Sequence, residues 1–177
     1  PVDIVIPSNT QGTIRDVVVG LRINHSWLAD LKIKIIHPDG SEVLLADHNG
    51  NGNHRDGSEV WGEGSRSCNG DLAYFSDDAA VSISARAKPF SGFSQPIESL
   101  QNLDGKSANG DWTLRITDEW SQDDGELFCA QLLLTTTSPS TTNTVADPIP
   151  LADQNATWTI PDPLTFNGLF RFSFENS

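Results

Sequence analysis

Residues 47–58 read DHNGNGNHRDGS, and Asp47, Asn49, Asn51 and Gly52 fall in the register of a calcium-loop opening, D-x-[DN]-x-[DN]-G. A full loop of that kind needs a bidentate acid at its twelfth position, but here that position is Ser58, with Glu59 one place late. The flanks LKIKII and EVLLA read as strands where such a loop requires helices. The segment is therefore not an EF-hand. It is either a weak set of oxygen ligands or a loop whose Asn, Asp and Gly residues close turns.

Other chemistries find less support. The four histidines, His25, His37, His48 and His54, sit in loop or turn contexts, and no G-x-S-x-G elbow accompanies them. DGKS at 104–107 imitates the end of a phosphate loop, but Leu100 stands where its first glycine belongs. Two separated cysteines and scattered histidines lack the ligand pairs of zinc sites.

The elements that must carry these residues have a period of two. Val17, Val19, Leu21 and Ile23 share a face; Leu31–Ala46 reads as a hairpin turning at Pro38-Asp39-Gly40. Val81–Arg86 and Trp112–Thr117 alternate again, and Leu127–Thr137 runs as a further strand. Asn-Gly and Asp-Gly pairs punctuate the chain, and no segment carries a useful helical stripe, so the pattern predicts an all-β sandwich or jelly roll.

The chain has 177 residues, enough for one substantial core. Its 24 acidic against 11 basic residues give a formal charge of −13, which disfavours a nucleic-acid partner and favours divalent cations. There is no 18-residue apolar run to span a membrane. The start at Pro1, with no signal segment, suggests part of something longer. Cys68 and Cys129 permit one disulfide, which in an oxidising compartment could add about 4 kcal/mol by loop closure. Residues 138–148 read as a linker or surface crossing. Residues 149–177, rich in Leu and Phe with one Trp, are too apolar for a free tail and too short for a domain, so they are expected to pack on the sandwich or a partner.

Several segments, in order, resemble the P-domain that follows the catalytic domain of kexin- and furin-like subtilisin proteases and of bacterial secreted proteases. LRINHSWLADLKIKIIHPDGSEVLL is similar to the family's opening, FSDDAA at 75–80 to its acidic segment, FSGFSQPIESLQNLDGKSANGDWTLRITD to its Trp-containing run, and DDGELFCAQLLL to its closing strand. The resemblance covers roughly residues 2–137. It departs at Ala130, where the family usually has Trp, and in the long stretch 47–74 containing Cys68. It implies a jelly-roll-like β-sandwich of about eight or nine mainly antiparallel strands over 1–137. It also implies a secreted, non-catalytic accessory module whose partner is the catalytic domain of the same polypeptide.

The resemblance further implies that acidic residues at strand ends, Asp30, Asp77, Asp78 and Asp118, lie on one side of the sandwich where a cluster can hold calcium. Converging carboxylates repel unless neutralised, which a divalent ion would do; the competing reading is that they cap turns through backbone N–H groups. His25 is expected to pack or hydrogen-bond rather than catalyse. Asp123, Asp124 and Glu126 read as a solvated acidic turn. Trp27, Trp61 and Trp120 lie in or beside loops, and an exposed Trp61 or Trp120 could stack on sugars in a glycan- or surface-binding module, whereas most sandwich aromatics fill the core.

Overall fold

A computed structural model of the chain describes residues 1–49, 60–64, 66–86, 90–120 and 125–137. Among them, nine strands form two sheets: β1 (Val2–Ser8), β2 (Thr13–His25), β3 (Leu31–Ile36), β4 (Glu42–Asp47), β5 (Val60–Trp61), β6 (Ala73–Phe75), β7 (Gly92–Ser94), β8 (Gly110–Asp118) and β9 (Gly125–Thr137). The first sheet has the order β1-β8-β3-β4 and is antiparallel throughout. The second is built on β2, which pairs with β9 along one edge and with β5 and β6 along the other; β7 joins β6 in parallel. The fold is the expected all-β sandwich.

Alternation decides which residues fill it. Val17, Val19, Leu21 and Ile23 of β2 face Leu31, Ile33 and Ile35 of β3 and Trp112, Leu114 and Ile116 of β8 in one continuous apolar core. The hairpin forms where the turn residues allow: Gly40 takes φ 89°, and its N–H bonds the His37 carbonyl at 2.8 Å. The outer edge of β4 is covered by Ile97 and Glu98, whose N–H groups donate to Leu45 and Leu44.

Val81–Arg86 differs from its alternating pattern. Ser82 Oγ accepts from Ser84 N–H and starts a 3₁₀ turn over Ile83–Ala85 that buries Ile83 and leaves Val81 exposed. A serine side chain offering the backbone a local acceptor competes with the sheet ladder, and here it wins.

A β-bulge in β9 has the largest consequence. Arg22 pairs with Cys129 and Ile23 with Leu127, so Phe128 is an extra residue between them. Leu127 points into the core, and beyond the bulge so do Ala130 and Leu132, while Cys129 turns with Arg22 to the outer face. There it forms a disulfide with Cys68, 61 residues earlier, which clamps residues 66–72 over that face. Ala130, in place of the family's Trp, lies inward opposite Leu21. Residues 138–148, read as a linker or surface crossing, and residues 149–177, expected to pack on the sandwich or a partner, lie outside the described residues, as do Asn51, His54, Asp123 and Asp124. No helix among the described residues is long and apolar enough to cross a membrane.

Candidate functional site

Strand register distributes the acidic residues to two ends of the sandwich. At one end β8 finishes at Asp118, opposite Leu31, and Glu119 N–H donates to the Asp30 carbonyl at 2.9 Å, so Asp30 and Asp118 are neighbours. His25, the last residue of β2, is buried beneath them with Nε2 3.4 Å from Asp118 Oδ2 and Nδ1 2.8 Å from the Trp27 carbonyl oxygen. Asp118 Oδ1 accepts from Trp120 N–H at 3.1 Å. His25 thus holds its strand end against the loop that follows, the packing role expected of it.

Beside this pair, at the surface, lies a second group. Ligand-type atoms of Asp47, His48 and Glu119 converge within 4.8 Å of one another. His48, at φ 50°, places Nδ1 on Asp47 Oδ1 and Nε2 3.0 Å from Glu119 Oε2, while Lys32 Nζ lies 3.0 Å from Asp47 Oδ2 and 4.0 Å from Glu119 Oε1. Burial pushes the Asp47 carboxyl up, but the bonds from Lys32 and His48 outweigh it, and its pKa is lowered. Here Lys32 and the imidazole occupy the place of a counter-ion. Asn49, the next residue of the calcium-like motif, is buried, and its Oδ1 accepts from Asp47 N–H at 2.8 Å, so it closes the turn. Sequence reasoning missed Glu119 and His48 here, because only the β4–β3–β8 register brings them together.

Asp77 and Asp78 lie elsewhere. They follow β6, which runs antiparallel to β2 with Phe75 opposite Val19, and this carries them toward Asp16 near the start of β2. Nine residues of strand separate Asp16 from His25, about 30 Å at 3.3 Å per residue. The four predicted ligands therefore form two pairs, and no single ion contacts all of them.

At this second end Asp77 Oδ2 accepts from Ser99 Oγ at 2.8 Å and from Gln101 N–H at 2.9 Å, helping to cap the 3₁₀ turn Leu100–Leu103. Asp78 is exposed, and its N–H donates to Ser76 Oγ. Burial, with the nearby carboxylates Asp78, Asp77 and Asp104, raises the pKa of Asp16 against an opposing bond from the Val17 N–H. Among the described residues no Lys, Arg or His forms an ion pair with Asp16, Asp77 or Asp78.

The two tryptophans separate as well. Trp61 is fully buried, stacked on Phe90 at 4.4 Å and tilted against Phe75 at 5.6 Å, and so cannot meet a ligand. Its pairing with Ile23 in the short strand β5 draws it inward, which a reading of it as a loop residue did not anticipate. Trp120 is 71% exposed.

An all-β sandwich with its acids at strand ends and a tethered outer loop defines the class. The family described as proprotein convertase P-domain matches residues 14–73 and 80–134, well over half of the chain, and the chain belongs to that family. Among solved structures, the chain is similar to the serine protease of Aeromonas sobria (17% identity, TM-score 0.38, 76% of this chain and 20% of that one). It is equally similar to the A. sobria serine protease in complex with its chaperone ORF2 (18% identity, TM-score 0.38, with the same coverage). The chain thus spans about a fifth of those proteins. A search of curated protein sequences finds no significant match.

Proposed function

We propose that this chain is the non-catalytic accessory P-domain of a secreted subtilisin-like serine protease, docking on the catalytic domain of its own polypeptide and stabilising it. The family match, which spans strands of both sheets, carries the reading. The described histidines add support, because each is engaged in holding the scaffold. His25 lies between the Trp27 carbonyl and Asp118, His37 between the Ser107 carbonyl and Asp39, and His48 between Asp47 and Glu119. The disulfide agrees with a secreted location. Co-purification of residues 1–137 with the separately expressed catalytic domain tests the docking; failure to associate at micromolar concentrations counts against it.

Calcium belongs to this proposal at Asp77 and Asp78 rather than at Asp30 and Asp118. At the latter end His25, Lys32 and His48 already supply positive charge or N–H donors. Around Asp16, Asp77 and Asp78 the donors are a hydroxyl and two backbone amides, none of them charged, so a hard cation would find uncompensated carboxylate oxygens. Bound there, the ion would supply positive charge that lets the carboxylates approach. The expected outcome is a higher melting midpoint in calcium than in chelator, lost in Asp77→Asn/Asp78→Asn. An unchanged midpoint removes the metal from the proposal and leaves the docking untouched.

A further inference from the structure

The outer face of the β2–β6–β7 sheet carries an aromatic platform with no role in the core. Tyr74 on β6 lies flat across β2 at Gly20, where a Cβ would come within 2.7 Å of Tyr74 Cε1. Only glycine leaves room for the ring, and its hydroxyl extends to 3.5 Å from Gln131 Oε1 on β9. Phe93, the cross-strand neighbour on β7, stacks on Tyr74 with ring centres 4.8 Å apart and planes 16° from parallel. Phe93 is 54% exposed, so the stack presents an aromatic surface to solvent.

These rings form one side of an open cleft of about 410 Å³ whose rim brings together Asp71 and Arg86. Both groups are held by backbone bonds. Asp71 exchanges N–H···O bonds with Glu63 at 2.9 and 2.6 Å, and Arg86 donates from Nη1 to the Phe93 carbonyl at 2.5 Å and from Nη2 to the Ser91 carbonyl. Among the described residues Asp71 has no ion-pair partner. The nearby carboxylate contributes to raising the Tyr74 pKa, after burial.

A ligand here meets a flat apolar surface flanked by one acceptor-only and one donor-only group of opposite charge. Anions are disfavoured by Asp71 and by the overall charge of −13, and a cation on the ring face would meet the fixed guanidinium of Arg86. A neutral ring with an apolar C–H face and hydroxyls around its edge satisfies all three features. We propose that this cleft is a carbohydrate-binding site in which Phe93 stacks on a pyranose face, Asp71 accepts from its hydroxyls and Arg86 fixes the β7 backbone that presents the ring.

The test is titration of the isotope-labelled chain with chitotriose, cellotriose, maltotriose and mannotriose, followed by amide NMR. The expected result is a saturable shift with at least one of them, centred on residues 71–74 and 92–94. Phe93→Ala should abolish it, Asp71→Asn should weaken it roughly tenfold, and Phe93→Tyr should retain it. Because Phe93 is half exposed, the alanine variant is expected to melt near wild type. If it does not, the paired Asp71→Asn and Phe93→Tyr results decide. No saturable shift with any of the four sugars, or binding indifferent to both Phe93→Ala and Asp71→Asn, overturns the proposal. So does preferential binding of tetramethylammonium in the same cleft.

Discussion

The two outer faces of the sandwich are built on opposite principles. On the β1-β8-β3-β4 sheet the outward positions form a ladder of alternating charge: Asp3 with Arg115, Arg115 with Glu42, Glu42 with Lys34, and Lys32 with Asp47. These pairs stay in contact with water, and their lowered carboxylate pKa values come chiefly from single partners, Arg115 for Asp3 and Lys34 for Glu42. On the β2 sheet the outward positions around the tether are covered or apolar. Arg22 is 6% exposed beneath Gly62, Cys129 is tied to Cys68, Phe128 lies near the guanidinium groups of Arg22 and Arg66, and Tyr74 and Phe93 stack beside them. The first face is made to meet solvent. The second has a fixed relief of rings, buried charge and a tethered loop, the kind of surface that recognition uses.

If the tether organises that second face, the largest effect should come from removing it. Cys68→Ser/Cys129→Ser is expected to lose about 2–4 kcal/mol in chemical denaturation, and a loss near zero would mean the loop is held by its other contacts. Next is Arg22, whose Nη1 donates to the Gly62 carbonyl at 2.7 Å while its Nε, also buried, has no partner among the described residues. Arg22→Ala should cost about 1–3 kcal/mol by leaving Gly62 unsatisfied and the loop unsupported. Arg22→Met should cost less, because it keeps the stem and removes a charge whose pKa burial lowers. Equal losses in the two variants would contradict that ordering.

A smaller effect is expected at Asp16, also outward on β2. Its folded pKa is raised above the ordinary value near 3.8, so the native state is penalised once the group ionises. The penalty is absent below the unfolded value, grows as pH rises from there, and is complete above the folded value. Asp16→Asn should therefore match wild type in acid and melt higher at neutral pH, with the difference shrinking in calcium if the ion binds nearby. A variant less stable than wild type at neutral pH contradicts this reading. The smallest effect belongs to the charged face: Arg115→Ala should leave the midpoint almost unchanged at physiological salt, with any loss confined to low salt.

Legibility in the sequence followed the same division. Three of the four strands of the charged face were readable in it, because LKIKII and WTLRIT alternate and Pro38-Asp39-Gly40 marks the hairpin turn, whereas β1 and the bulge at Leu45, which shifts the register between Ile33 and Lys34, carried no local signal. The second face was not, because its decisive features are not local. Nothing in ELFCAQL marks Phe128 as the bulged residue that sends Cys129 outward, although the parity of the cysteines permitted the bridge. The acids were recognisable as strand-end residues, but which ends meet depends on long-range pairing, and that separates Asp77 and Asp78 from Asp30 and Asp118. Trp61 looked like a loop residue because β5 is only two residues long. Tyr74 and Phe93, nineteen residues apart in turn-rich segments, gave no sign that parallel pairing would stack them.

The central claim is that this sandwich serves a protease joined to it. The direct measurement is the thermal inactivation half-life of proteolytic activity in the full polypeptide the gene encodes, with and without residues 1–137. The account predicts that deletion shortens the half-life sharply, and that adding residues 1–137 back in trans restores part of it. An unchanged half-life on deletion, or a full polypeptide that encodes no protease, would contradict it.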